Sequence, residues 1–206
     1  MTEDEARIWI RDRFGVSRET LLTRYAELLR AEAANQNLIA SSTLATLWAR
    51  HFVDSAQLLS LVADAPRGTW LDVGSGAGLP GLVAAILLDR PVVLVEPRAR
   101  RVEFLRNVIN GLKLPRVTVE ASRVETYRPK NRAAIVSARA VAELDRLLTS
   151  AAHCADSSTL WVLPKGRNAQ SEVEAAQAKW QGVFHVEPSI TQPDSGIVVA
   201  RGVRPR

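Results

Sequence analysis

The stretch "WLDVGSGAGLPG", Trp70 to Gly81, places a carboxylate two residues ahead of a run of glycines and directly after a short apolar run. Glycines there expose backbone that a ligand can approach without meeting a Cβ, and Pro80 suits the first turn of a following helix. Two cofactor chemistries fit such a turn. Read as G-x-G-x-x-G through Gly76, Gly78 and Gly81, it is a dinucleotide fingerprint, with the pyrophosphate on the helix N-terminus. Asp72 argues for the other, because a carboxylate before the first glycine repels a pyrophosphate and attracts an ammonium group. The next apolar run ends in Glu96, where a carboxylate can accept both ribose hydroxyls; both cofactor classes use an acid there, so Glu96 separates nothing. The balance favours S-adenosylmethionine, which carries a cationic amine and a sulfonium and no phosphate. Asp72, Gly74, Gly76, Gly78 and Glu96 are therefore candidate cofactor residues, against the plainer reading of glycines that only make a tight turn.

Other groups suggest less. His51, Asp54 and Ser55 have the residue types of a hydrolase triad, but three residues within one helical turn cannot place the base between nucleophile and acid. A packing or substrate contact is expected of them. His51, His153 and His185 lack ligand spacing and have one cysteine for company, which predicts no metal site. Cys154 falls in or just after a helical segment and is assigned to the core rather than to nucleophilic attack. The segment "AAIVSARAVAEL" lacks the Asn/Asp-Pro-Pro-aromatic turn that holds an exocyclic base amine. Arg139 occupies that place and could hold a cofactor carboxylate or an RNA phosphate through bidentate bonds. Lys165, in "LPKG", is a similar candidate.

The elements that must position these groups follow from pattern. The chain has 206 residues, 47% hydrophobic and 24% charged, which suits one globular domain with a small extension. Its longest apolar stretch, Leu82 to Leu88, is far short of the roughly 20 residues that cross a bilayer, and "MTEDEAR" is acidic where a signal peptide is basic. A cytosolic protein is expected. A single cysteine excludes an internal disulfide. Residues 1–65 read as a helical cap: Ser17 is a candidate N-cap for a helix with Leu21, Leu22, Tyr25, Leu28 and Leu29 on one stripe, and a further helical run spans Thr43 to Val62. From residue 66 to 206 short apolar runs alternate with helical segments, which predicts a Rossmann-like doubly wound α/β sheet. Only "TQPDS" separates the last two strands. That is too short for a crossover helix, so they should pair antiparallel, with the antiparallel strand at or near the sheet's edge.

Charge is uneven. Arg98 to Arg139 holds 11 Lys or Arg against 3 Glu, whereas residues 1–65 hold 7 basic against 9 acidic. A solvated helix face would explain this, as would a polyanionic partner, since cations that neutralise phosphates release condensed counterions.

With these residues assembled, the chain resembles the RsmG family, also called glucose-inhibited division protein B. The resemblance runs from about Leu21 to the end and rests on "NL" at Asn37 and Leu38, "RHFVDSAQLL", "LDVGSGAGLPG", "LVEPRARRVEFLR", "SRVE" at Ser122 to Glu125, "SARA" and "LPKG". It implies a class I S-adenosylmethionine-dependent methyltransferase acting on nitrogen-7 of a guanine in bacterial 16S rRNA. It further implies that Gly74, Leu79, Val124, Glu125 and Arg139 bind the cofactor, that no general base exists because nitrogen-7 has no proton to lose, and that the enzyme works as a monomer. On that reading the basic segment clamps rRNA phosphates, with Arg98, Arg100, Arg101, Arg123, Arg128, Lys130 and Arg132, together with Lys165, as candidates. Two departures stand out. Family members tend to carry Trp and a polar residue ahead of the Asn-Leu pair, where this chain reads "EAANQNL". Arg100 and Arg101 stand where a Lys-rich pair is usual. An NAD-dependent oxidoreductase and a non-catalytic RNA-binding assembly factor remain the alternatives.

Overall fold

Seven strands form one mixed sheet in the order β3-β2-β1-β4-β5-β7-β6 in the computed structural model, which describes residues 1–206. They are β1 (Trp70–Val73), β2 (Val92–Val95), β3 (Val117–Glu120), β4 (Ile135–Ala138), β5 (Leu160–Lys165), β6 (Trp180–Pro188) and β7 (Gly196–Pro205). The first five run parallel. β7 is antiparallel to both β5 and β6, so it lies one strand in from the edge and β6 forms the edge itself. β1 and β4 are buried at every position, as central parallel strands covered on both faces must be.

Side-chain alternation sorts the strands between two cores. Trp70 joins the core on one face, beneath α5 (Gly81–Leu87) and α6 (Ala99–Leu112); Leu71 and Val73 join the other, beneath α7 (Leu144–Ala151) and α8 (Ala169–Gln177). The alternation of strand and helix lapses once. Residues 121–134 cross from β3 to the parallel β4 without a helix.

The N-terminal helices share the first core instead of forming one of their own. α1 (Glu3–Phe14) opens with a capping box, in which the Glu5 amide donates to Thr2 Oγ1 at 3.2 Å and the Thr2 amide to Glu5 Oε2 at 2.8 Å. Gly15, at φ 82°, ends α1 and starts α2 (Val16–Glu32). Ser17 is thus inside α2, not its N-cap. Of the expected stripe, Leu22, Tyr25 and Leu29 are buried, whereas Leu28 is exposed.

The run expected from Thr43 to Val62 is helical but broken. A 3-10 turn (Ser41–Thr46) passes into a π-helix (Trp48–Val53), followed by α3 (Asp54–Ala56) and α4 (Leu58–Leu61). The Trp48 and Ala49 amides donate to the Glu3 carboxylate at 3.0 and 2.9 Å. With those amides taken by α1, the hydrogen-bond register restarts at Trp48. No helix is long and apolar enough to cross a membrane.

Candidate functional site

The loop between β1 and α5 is tied to the end of β2. The Gly74 and Ser75 amides both donate to the Val95 carbonyl, at 2.8 and 3.2 Å. Glu96, buried, receives the Gly76 amide on Oε2 at 2.9 Å and the Arg98 amide on Oε1 at 3.0 Å. Each carboxylate oxygen keeps a second lone pair for a ligand. Gly74, Glu96, Val124 and Glu125 line a cavity of about 870 Å³, with Arg98, Arg101 and Arg123 around it and Val141 above Gly74. That volume is in the range of small-molecule sites.

Five predicted cofactor residues, Asp72, Gly76, Gly78, Leu79 and Arg139, do not line this cavity; Gly76 supports it through the amide it donates to Glu96, and Arg139 lines the neighbouring cleft. Asp72 shares the sheet face of Trp70, so its side chain turns under α5 and is fully buried. Oδ1 accepts from Ser137 Oγ at 2.6 Å, and Oδ2 has no hydrogen-bond partner. Asp72 is therefore not positioned to touch an ammonium directly. A Cβ at Gly81 would lie 2.7 Å from Asp72 Oδ2, which puts this carboxylate at the N-terminus of α5, where a pyrophosphate would have to rest. Gly78 is a packing glycine, since a Cβ there would press into Leu82 and come within 2.9 Å of the Tyr25 hydroxyl. Leu79 buries its side chain in the core and could meet a ligand only through its backbone. Tyr25, read from the sequence only as part of an apolar helix stripe, stacks on Phe52 with ring centroids 5.3 Å apart and donates to the Ala77 carbonyl, fastening the cap to the glycine loop.

A second cleft, of about 660 Å³, adjoins the first and shares Ala140, Val141 and Ala142 with it. Here Arg139 meets the cap. Its Nη1 donates to His51 Nδ1 at 3.1 Å and to Asp54 Oδ2 at 3.3 Å. An arginine can only donate, so His51 Nδ1 accepts and its Nε2–H donates to Thr43 Oγ1 at 2.8 Å. Burial, with Arg139 and Arg50 nearby, pushes His51 down to about 4, which fits the neutral ring. Asp54 Oδ1 accepts from Gln57 at 3.0 Å and from Thr191 at 2.7 Å, so the β6–β7 loop is latched to α3. His51 and Asp54 thus act together, while Ser55 is buried with its hydroxyl unpartnered. Cys154 is buried, and burial pushes its thiol up to about 11.

The cationic candidates divide. Lys165 is not free to bind phosphate: its side chain is 9% exposed, it pairs with Glu172 at 2.8 Å and it donates to the Ala142 carbonyl at 2.6 Å. Glu172 also receives the Leu144 amide at 2.7 Å, so the pair clamps the loop that separates the two cavities. Arg100 and Arg101 donate to the Asn35 and Asn37 carbonyls at 2.8 and 3.3 Å, which fixes the "EAANQNL" segment. Arg128 bonds the Glu125 and Tyr127 carbonyls at 2.7 and 2.9 Å, and Arg132 bonds that of His153. Lys130 is exposed, without a hydrogen-bond partner. No cluster of three metal-capable side chains occurs.

The family model for rRNA small subunit methyltransferase G matches residues 18–194. The chain belongs to that family. Proteins named ribosomal RNA small subunit methyltransferase G from Sphingopyxis alaskensis and Rhizorhabdus wittichii are 48% and 46% identical to it. The alignments cover 97% and 100% of this chain, and 86% and 95% of those proteins. The fold is that of S-adenosylmethionine-dependent methyltransferases. It matches such an enzyme from Aquifex aeolicus at TM-score 0.59 and 15% identity over 76% of this chain and 92% of the other. The glycopeptide N-methyltransferase MtfA, complexed with S-adenosylmethionine, matches at TM-score 0.59 and 12% identity over 71% and 86%. Membership makes the chain a methyltransferase and sets aside the oxidoreductase alternative, in keeping with the acid at the N-terminus of α5.

The buried acid and the buried imidazole pull stability in opposite directions with pH. Burial, opposed by the Ser137 hydrogen bond, pushes Asp72 up from 3.8 to about 6, so the folded state prefers the protonated acid and loses stability as pH rises from about 4 to 6. His51, held neutral, loses stability as pH falls from 6.5 toward 4. Each effect is worth about 3 kcal/mol. Over pH 4 to 6, Asp72→Asn should therefore have a melting temperature that climbs more steeply with pH than wild type's, and His51→Gln one that climbs less steeply. Parallel slopes in the two variants would contradict the assignment.

Proposed function

We propose that this methyltransferase transfers the methyl group of S-adenosylmethionine to nitrogen-7 of a guanine in 16S rRNA of the small ribosomal subunit. The observation that carries this reading, beside family membership, is one wall of three residues dividing a Glu96-floored cavity from a second cleft that opens beside Arg139.

The residues present fit the cofactor. The unused lone pairs of Glu96 suit two ribose hydroxyls, Val124 and Glu125 flank the place of an adenine, and the Gly74 backbone is bare where a methionine moiety would run. Arg139 commits Nη1 to the cap and keeps its other donors for a carboxylate. When bound, S-adenosylmethionine supplies a methyl group on a positively charged sulfur. Nothing need remove a proton from nitrogen-7, and both His51 nitrogens are already engaged. The chain contributes position: holding acceptor and methyl in line is worth several kcal/mol of barrier. Arg98, Arg123 and Lys130 carry exposed charge toward rRNA phosphates, with Arg128 and Arg132 beside them. We place this activity in the cytoplasm, in a monomer.

Incubating the purified protein with methyl-labelled S-adenosylmethionine and small subunits from a strain without the family's enzyme tests this. Label should enter 16S rRNA as 7-methylguanosine. Binding of both ligands without incorporation would favour an assembly factor.

A further inference from the structure

We infer that Glu143 and Arg50 are the guanine-nucleotide receptors of the second cleft, Glu143 reading the base edge and Arg50 holding the target nucleotide's phosphate. The inference rests on the reading that guanine nitrogen-7 is methylated, and deepens it by naming what selects the base.

Charge accounting leads there. Two cations in the cleft already have partners: Arg139 pairs through Nη1 with His51 and Asp54, its other donors being left for the cofactor carboxylate, and Lys165 pairs with Glu172. Arg50 and Glu143 line the same cleft and are exposed, and their side chains make no hydrogen bond or ion pair. They are an unspent cation and an unspent anion. A nucleotide presents the complementary pair. Its phosphate suits a guanidinium, and the guanine N1–H and N2–H donors suit the two oxygens of one carboxylate. Those donors lie on a different edge from nitrogen-7, so Glu143 can engage them while nitrogen-7 stays open to the methyl group. Position agrees, because Glu143 stands two residues beyond Val141, which lies over Gly74 at the boundary with the cofactor cavity. Adenine offers an acceptor at N1 and no amine at C2, so the same carboxylate would repel it.

The test uses small subunits reconstituted with 16S rRNA carrying either guanine or hypoxanthine at the modified position; hypoxanthine keeps N1–H and lacks the amine. Wild-type protein should prefer guanine in kcat/KM by about 10-fold, because one carboxylate oxygen loses its donor. In Glu143→Ala that preference should shrink to about 2-fold or less, with guanine methylated at least about 10-fold more slowly than by wild type. Arg50→Ala should raise KM for the subunit and leave kcat and the guanine preference unchanged, and Arg50→Lys should recover part of the loss. Calorimetric binding of S-adenosylmethionine and the melting temperature should match wild type in all three variants, which excludes misfolding as the cause. An undiminished guanine preference in Glu143→Ala overturns the inference while leaving the proposed function standing. Wild-type protein that methylates neither substrate overturns both.

Discussion

Gly81→Val should lower stability by about 4 kcal/mol or more and the melting temperature by about 10 °C. Gly81 is the first residue of α5 and packs on β1 and β2 with no room for a side chain. A Cβ would lie 2.7 Å from Asp72 Oδ2 and 2.8 Å from Asp72 Cβ, and would press into Leu94. All three belong to central, fully buried strand positions, so none can yield without moving the sheet. The steric demand is also electrostatic, since the intruding group would drive an already desolvated carboxylate deeper into apolar surroundings. Thermal unfolding followed by circular dichroism reads the effect directly. A fall of less than about 3 °C would mean that α5 sits farther from the sheet than this structure has it.

The second large effect concerns binding. Glu96→Ala should weaken S-adenosylmethionine about 100-fold, the worth of two hydrogen bonds to a charged acceptor at roughly 1.5 kcal/mol each. Part of that loss would come from the loop, because the same carboxylate holds the Gly76 and Arg98 amides. Glu96→Gln separates the two contributions: the amide oxygen can keep one backbone amide, while the amine cannot accept from a ribose hydroxyl. An intermediate affinity is expected, and calorimetric titration of the three proteins would show it. Equal affinities would remove Glu96 from the site.

The sequence made the sheet legible because parallel strands buried on both faces must be short apolar runs, and the crossover helices supply the intervening amphipathic segments. Gly74 and Glu96, read from their places after β1 and β2, and Val124 and Glu125, implied by the family resemblance, line one cavity. What the sequence could not resolve was set by partners distant in the chain. Asp72 and Gly78 belong to the same motif as Gly74, yet strand alternation turns the first into the core and Tyr25 of α2 presses on the second. Lys165 reads as a free cation until Glu172 of the next helix is placed beside it. His51 and Asp54 gain meaning only from Arg139, 88 and 85 residues away. The broken helical run after Ser41 depends on Glu3, 45 residues before Trp48, and no local propensity records that.

On the proposed function, the methyl donor sits on Glu96 with its sulfonium facing the cleft of His51, Asp54 and Arg139. A crystal structure of the protein with S-adenosylmethionine or its demethylated product tests it most directly. Both ribose hydroxyls should lie on the Glu96 carboxylate, the adenine between Val124 and Glu125, and the sulfur beside Val141 at the mouth of the second cleft. A ligand seated elsewhere, or one whose sulfur points away from Arg139, would contradict it.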